Sequence, residues 1–235
     1  MCSRANFSSS HTGARGRGRI LFFALLISTL SLCALSFMAD STVQAAFASW
    51  RTQAWFPAMT LERLGRIGIW PTYAFPALLV AAVAWRMGKK SIVRVALVMV
   101  LASIVAGLIA NASRATTGRA RPRVPAQEQG FHGPSKGGWW VKAPARYQSF
   151  PSAHTAPFVA FFAVLFFAGT RGRWLFVAAA VAMGSARISV QAHHFSDIVV
   201  ASALGFFVAW WAWHWAARRW PLPQECASPG EPGNA

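Results

Sequence analysis

The stretch IVRVALVMVLASIVAGLIANA, residues 92–112, decides the fold: it is almost unbroken in apolar side chains and carries one charge, Arg94. About 20 such residues in a helix cross a bilayer core of about 30 Å. Lipid offers no partner to an unpaired backbone group, so a helix, which satisfies its own, is the natural form. Five further apolar runs lie outward of it, at 20–38, 69–85, 156–169, 174–190 and 198–217. The run at 156–169 is short, and its helix is expected to begin at Ser152. The expectation is an all-α, six-helix transmembrane bundle over residues 20–217. Residues 41–66, with Trp50, Arg51, Trp55, Phe56 and Arg63, read as an interfacial amphipathic segment between the first two helices. The Ser/Gly/Arg-rich start, 1–19, and the Pro/Gly-bearing tail, 218–235, are expected to be disordered and cytoplasmic.

Composition excludes several classes. The chain is 55% hydrophobic with mean hydropathy +0.38, and only 12% of its 235 residues are charged, yet its formal net charge is +17. A nucleic-acid module is rich in charge throughout; here the cations sit between apolar runs, so no nucleic-acid partner is expected. Cys2, Cys33 and Cys226 lie far apart without ligand or disulfide spacing. The Arg-rich start and the small residues at 43–46 also permit a signal-peptide reading. The first apolar run is longer than a usual signal core, so a retained anchor is expected.

Basic residues set the expected orientation. With a cytoplasmic N-terminus, the inner flanks hold Arg4, Arg15, Arg17 and Arg19, then Arg86, Lys89, Lys90 and Arg94. Arg171 with Arg173, and Arg218 with Arg219, complete the pattern of the positive-inside rule. One outward loop, 114–146, breaks it with Arg114, Arg119, Arg121, Arg123, Lys136, Lys142 and Arg146. A bound anion accounts for that exception.

Three clusters at the outer helix ends carry chemistry. The first contains Arg114, Gly118, Arg119 and Arg121-Pro122. Guanidinium forks match phosphate oxygens, although this cluster alone reads equally as a solvated basic loop. The second, Ser149-Phe150-Pro151-Ser152-Ala153-His154-Thr155, opens a helix whose free N–H groups favour a phosphate. His154 would sit in that first turn, able to pass a proton to whatever the phosphate leaves behind, while this cluster alone reads first as a Ser152 helix cap with an interfacial His154. The third contains Ser185, Arg187, His193, His194 and Asp197. His193 and Asp197, four apart, share a face if helical, so the carboxylate holds one ring nitrogen and leaves the other nucleophilic. A structural His–Asp pair is the plainer alternative. No metal site is expected: adjacent histidines diverge by about 100° on a helix, and the arginines repel a cation.

In this order the clusters resemble the type 2 phosphatidic acid phosphatase superfamily, whose site is shared with vanadium haloperoxidases. Arg114, six residues, then Arg121-Pro122 follow its first motif; Pro151-Ser152-Ala153-His154 its second; Arg187, His193 and Asp197 its third. Three positions depart from the family pattern: Arg114 for Lys, Ala153 for Gly, and Ala186 for the usual Ser before Arg187. The resemblance implies that His193 attacks phosphorus to form a phosphohistidine, oriented by Asp197, while His154 serves the leaving group and then the water. It implies that Arg114, Arg121, Ser152, Ala153 and Arg187 hold the phosphoryl oxygens, with no cofactor. The implied activity is metal-independent hydrolysis of a lipid phosphate or diphosphate (polyprenyl diphosphate, lipid A, phosphatidylglycerol phosphate or phosphatidic acid). The substrate would be drawn from the outer leaflet, by a multi-pass inner-membrane protein with its site facing the periplasm or exterior. A lipid phosphotransferase with the same site and a non-catalytic anion-binding membrane protein stand as alternatives.

Overall fold

A computed structural model describes residues 12–51, 70–137 and 144–221. Residues 1–11, 52–69, 138–143 and 222–235, and with them most of both expected tails and of the interfacial segment, lie outside the described residues. The described chain is all-α. Its eight helices are α1 (Thr12–Met38), α2 (Asp40–Arg51), α3 (Trp70–Arg86), α4 (Lys90–Thr117), α5 (Pro134–Gly137), α6 (Thr155–Phe167), α7 (Leu175–Ser189) and α8 (Phe195–Arg219). The five long helices α1, α3, α4, α7 and α8, together with α6, fall on the six apolar runs.

Among the described residues two helices are long and apolar enough to cross a membrane by themselves: α4, at mean hydropathy 2.6, and α8, at 1.6. The pair Phe23–Met38 and Asp40–Trp50 passes the same test together, bent by 57° at a one-residue break, and makes a third. The six-span expectation is met to that extent. α6 has 13 residues and α7 has 15; at 1.5 Å per residue each is shorter than a bilayer core. α6 also begins at Thr155 rather than at Ser152, because residues 151–154 form a turn that is spent on the site.

α6 is the centre of the bundle and packs against α4, α7 and α8. The contact faces are built from small side chains at helical spacing: Ala102, Ala106 and Ala110 on α4, Ala156, Ala160 and Ala163 on α6, and Ala201, Gly205, Ala209, Ala212 and Ala216 on α8. In lipid, helices gain little from hiding apolar surface, so close backbone approach carries the association. Gly205 marks the closest approach: a Cβ there would lie 2.5 Å from the Ala156 carbonyl oxygen and 2.9 Å from the Ala160 nitrogen. That contact seats the first turns of α6, next to His154.

The opposite faces are apolar as well. Phe23, Leu25, Ile27, Leu30 and Leu32 on α1, and Phe75, Leu79, Val83 and Trp85 on α3, stand exposed. So large a contiguous apolar exposure is foreign to a soluble monomer and suits a lipid contact. α2 is different. Asp40, Val43, Gln44, Ala46 and Phe47 are the more buried positions, all but Ala46 at the i, i+3, i+4, i+7 spacing of one helix face, and this face packs against α7 and α8.

Candidate active site

Four loop or helix-end segments meet at one end of the bundle. α4 ends at Gly118, whose left-handed backbone (φ 55°) lets its N–H close on the Arg114 carbonyl. The chain then reverses, so that Arg114 remains in the last helical turn while Arg119 points inward. Backbone hydrogen bonds lace the segments together: Arg121 N–H to the Arg146 carbonyl (2.8 Å), Ser149 N–H to Arg119 (3.0 Å), and Ser152 N–H to Asp197 (3.3 Å). The three sequence clusters are thus one structure.

At its centre is His193, which is 1% exposed and lies just before α8 rather than on it. Its Nδ1 is 2.7 Å from the Ser149 carbonyl oxygen and 3.6 Å from Asp197 Oδ2. A carbonyl only accepts, so Nδ1 carries the proton and Nε2 is left as the free, basic nitrogen. The expected hold of Asp197 on this nitrogen is thus shared: the Ser149 carbonyl is the nearer acceptor, and Asp197 Oδ2 faces the same Nδ1 as a neighbouring charge. The two residues also meet by capping geometry rather than on a shared helix face: Asp197 is the third residue of α8, and it accepts the N–H of His194, the cap, at 2.8 Å.

Asp197 is fully buried and its carboxylate is committed on every side. Oδ1 accepts from Arg119 (2.5 Å), and Oδ2 accepts from the Ser149 hydroxyl (2.5 Å) and the His194 amide. Such saturation is what permits a charge to persist in a low-dielectric interior. Arg119 is itself buried, spanning Asp197 and Asp40 (2.7 Å), with its guanidinium 5.0–5.9 Å from the Phe37, Phe131 and Phe150 ring centres. Sequence reasoning missed Arg119 as an inner residue, together with Asp40, Gln44, Ser149 and Ser196. The available signal was Asp40, one of only six acidic residues.

The remaining arginines are placed differently. Arg114, Arg121 and Arg187 are half-buried and close enough to act on one another electrostatically. Arg114 has side-chain acceptors in Gln148 and Asn111, but each of the three keeps a buried Nε without a partner. Burial and then the neighbouring cations Arg114, Arg123 and Arg187 lower the Arg121 pKa to about 10, which leaves it charged at neutral pH. Among the described residues none of these three crowded cations makes an ion pair with a carboxylate, an arrangement that suits an anion. By contrast, Lys136 and Arg146 of the basic loop lie over the Tyr147 ring, at 4.8 and 5.1 Å.

His154 precedes the first turn of α6, with its Nδ1 buried and unpartnered. Burial, followed by the charges of Arg187, His193, Arg114 and Arg121, lowers its pKa to about 3; burial likewise lowers that of His193 to about 4. Both rings are therefore neutral at pH 7 when no anion is bound. Ser152 accepts the Thr155 N–H through its hydroxyl (3.3 Å) and also bonds the Thr155 hydroxyl (3.0 Å). Ala153 stands where the family pattern has Gly, and it fits: Gln191 alone among the described non-glycine residues has positive φ. Among the described residues no group of three or more His, Cys, Asp or Glu side chains is placed to hold a metal ion.

The family model described as PAP2 superfamily matches residues 93–221, which include the arginines, the histidines and Asp197 just described but not Asp40 or Gln44. The lipid A 1-phosphatase of Rhizobium johnstonii is 34% identical over 113 residues, 46% of this chain and 41% of that protein. The lipid A 1-phosphatase of Rhizobium etli is 35% identical over 106 residues, 43% of this chain and 42% of that protein. The aligned stretch thus spans less than half the length of these relatives. No solved structure matches. With the family match covering more than half of its length and all three motifs, the chain is a member of the PAP2 superfamily.

Proposed function

We propose that this membrane protein is a lipid phosphate phosphatase working through a phosphohistidine at His193. The observation that carries the reading is the pairing of a buried imidazole, its Nδ1 proton held by the Ser149 carbonyl, with three arginines that keep unpartnered Nε groups. In this reading the arginines and the first-turn amides of α6 hold three phosphoryl oxygens. Nε2 of His193 attacks phosphorus as the bond to the lipid oxygen breaks. His154 gives that oxygen its proton, then takes one from the water that cleaves the N–P bond and frees phosphate. Burial first, and then the neighbouring cations, depress the His154 pKa; a bound phosphate dianion offsets the second cause and so favours the protonated ring.

The names of the relatives favour a lipid A-type 1-phosphate as substrate. A cavity of about 1060 Å³, almost wholly apolar, lies between α1, α2, α7 and α8, with Val43, Ile188 and Phe195 at its site end. Its place supports a lipid tail lying beside a headgroup at His193. The six apolar helices would form the bundle, with the site at the periplasmic or outer surface, since Arg86, Lys89, Lys90, Arg171, Arg173, Arg218 and Arg219 flank the other helix ends. Phosphate release by detergent-purified protein from lipid A, phosphatidic acid, phosphatidylglycerol phosphate and a polyprenyl diphosphate tests the reading. Release from lipid A, insensitive to EDTA and blocked by vanadate, is expected. No release from any of the four refutes it, and transfer to a lipid acceptor without free phosphate would make the chain a phosphotransferase.

A further inference from the structure

The corner between α1 and α2 lies outside the stretch matched to the PAP2 superfamily, yet it reaches the site. Asp40, the first residue of α2, is buried against the first turn of α8. Its Oδ1 accepts the Ser196 N–H at 2.8 Å, and its Oδ2 accepts the Ser196 hydroxyl and Arg119, both at 2.7 Å. A helix begins with N–H groups that have no partner within it. Asp197 satisfies that of His194, and Asp40, from a segment 156 residues away, satisfies that of Ser196. One turn along α2, the Gln44 side-chain amide donates to the His193 carbonyl at 3.0 Å. Phe37, at the end of α1, closes one side of the three-ring box around Arg119.

From this geometry we infer that Asp40, assisted by Gln44, is a positioning residue for the His193–Asp197 pair. The inference rests on the phosphatase reading. Arg119 is held between two carboxylates, so its approach to Asp197 is set by Asp40 as much as by Asp197 itself. The two aspartates and Arg119 together carry one net negative charge directly behind His193, where the ring becomes cationic on phosphorylation. Among the described residues Arg114, Arg121 and Arg187, the arginines assigned to the phosphate, make no hydrogen bond or ion pair with Asp40 or Gln44. The α2 anchors therefore tune the chemical step while leaving anion binding alone.

The test uses the full chain in detergent, with wild type, Asp40→Asn, Gln44→Ala and His193→Ala compared on one lipid monophosphate. The readouts are kcat, KM and the inhibition constant for inorganic phosphate, which probes the arginine site without turnover. Asp40→Asn is expected to lower kcat by about tenfold or more, with KM and phosphate inhibition within about threefold of wild type. Gln44→Ala, which removes one hydrogen bond and leaves the charges in place, is expected to lower kcat by about threefold with the same unchanged binding. A kcat for Asp40→Asn within about twofold of wild type, or a parallel loss of kcat and phosphate affinity, overturns the positioning role. Should Asp40→Asn yield no folded protein, an unchanged kcat for Gln44→Ala overturns it. A wild type as silent as His193→Ala would overturn the phosphatase reading, and the positioning role with it.

Discussion

Replacing Asp197 by asparagine keeps the outline of the side chain and removes its charge, which separates two roles that the His–Asp spacing alone leaves merged. The tautomer of His193 should survive, because its Nδ1 proton goes to the Ser149 carbonyl at 2.7 Å. What is lost is a negative charge 3.6 Å from a ring that becomes cationic when phosphorylated. At an effective dielectric constant of about 20, Coulomb's law gives about 4.6 kcal/mol at that separation. The asparagine dipole keeps part of it, so the expected fall in kcat/KM is about 10²- to 10³-fold. The assay is phosphate release from a lipid monophosphate at pH 7, with nitrogen NMR of the histidine rings as the check on protonation. A variant within about threefold of wild type, or one with the His193 proton moved to Nε2, refutes the assignment of Asp197 as a charge partner rather than a tautomer clamp.

Two further predictions concern stability. Gly205→Ala pushes a methyl against the backbone of α6 at Ala156 and Ala160; overpacking of this kind costs about 1–3 kcal/mol, so the melting temperature in detergent should fall and activity with it. An unchanged melt would mean that the helices are not in backbone contact there. Burial holds the pKa values of His193 and His154 at about 4 and about 3, below the usual value of 6.5. Between about pH 6.5 and pH 4 the unfolded chain then binds more protons than the folded one, so stability is lost as pH falls through that window. Melts at pH 7 and pH 5 check this, and a higher melting temperature at pH 5 for wild type than at pH 7 would contradict the burial of these rings.

The apolar runs were legible because lipid leaves the backbone few options, and the three clusters because their order and spacing are specific. Arg114, Arg121, His154, Arg187, His193 and Asp197 do come together at one end of the bundle. What the sequence concealed is how they are held. Arg119 sits in the same basic loop as Arg121, and nothing in the linear pattern says that the first turns inward to two aspartates while the second keeps an unpartnered Nε beside Arg114 and Arg187; Gly118 and the bundle decide it. The Ser149 carbonyl is a backbone atom and has no sequence signature. Asp40 lies far from the motifs and enters through tertiary packing alone. Pro151-Ser152 reads as a helix opening, whereas α6 starts three residues later because that turn is drawn into the loop bonded to Asp197.

The central claim is a covalent phosphohistidine, and the most direct measurement is the fate of a phosphorus label from a lipid phosphate. Rapidly quenched wild-type protein should carry acid-labile, base-stable label, and His154→Ala should accumulate more of it, since water attack is slowed. His193→Ala should carry none and release no phosphate. Label that persists in His193→Ala, or full phosphate release by that variant, would contradict the account.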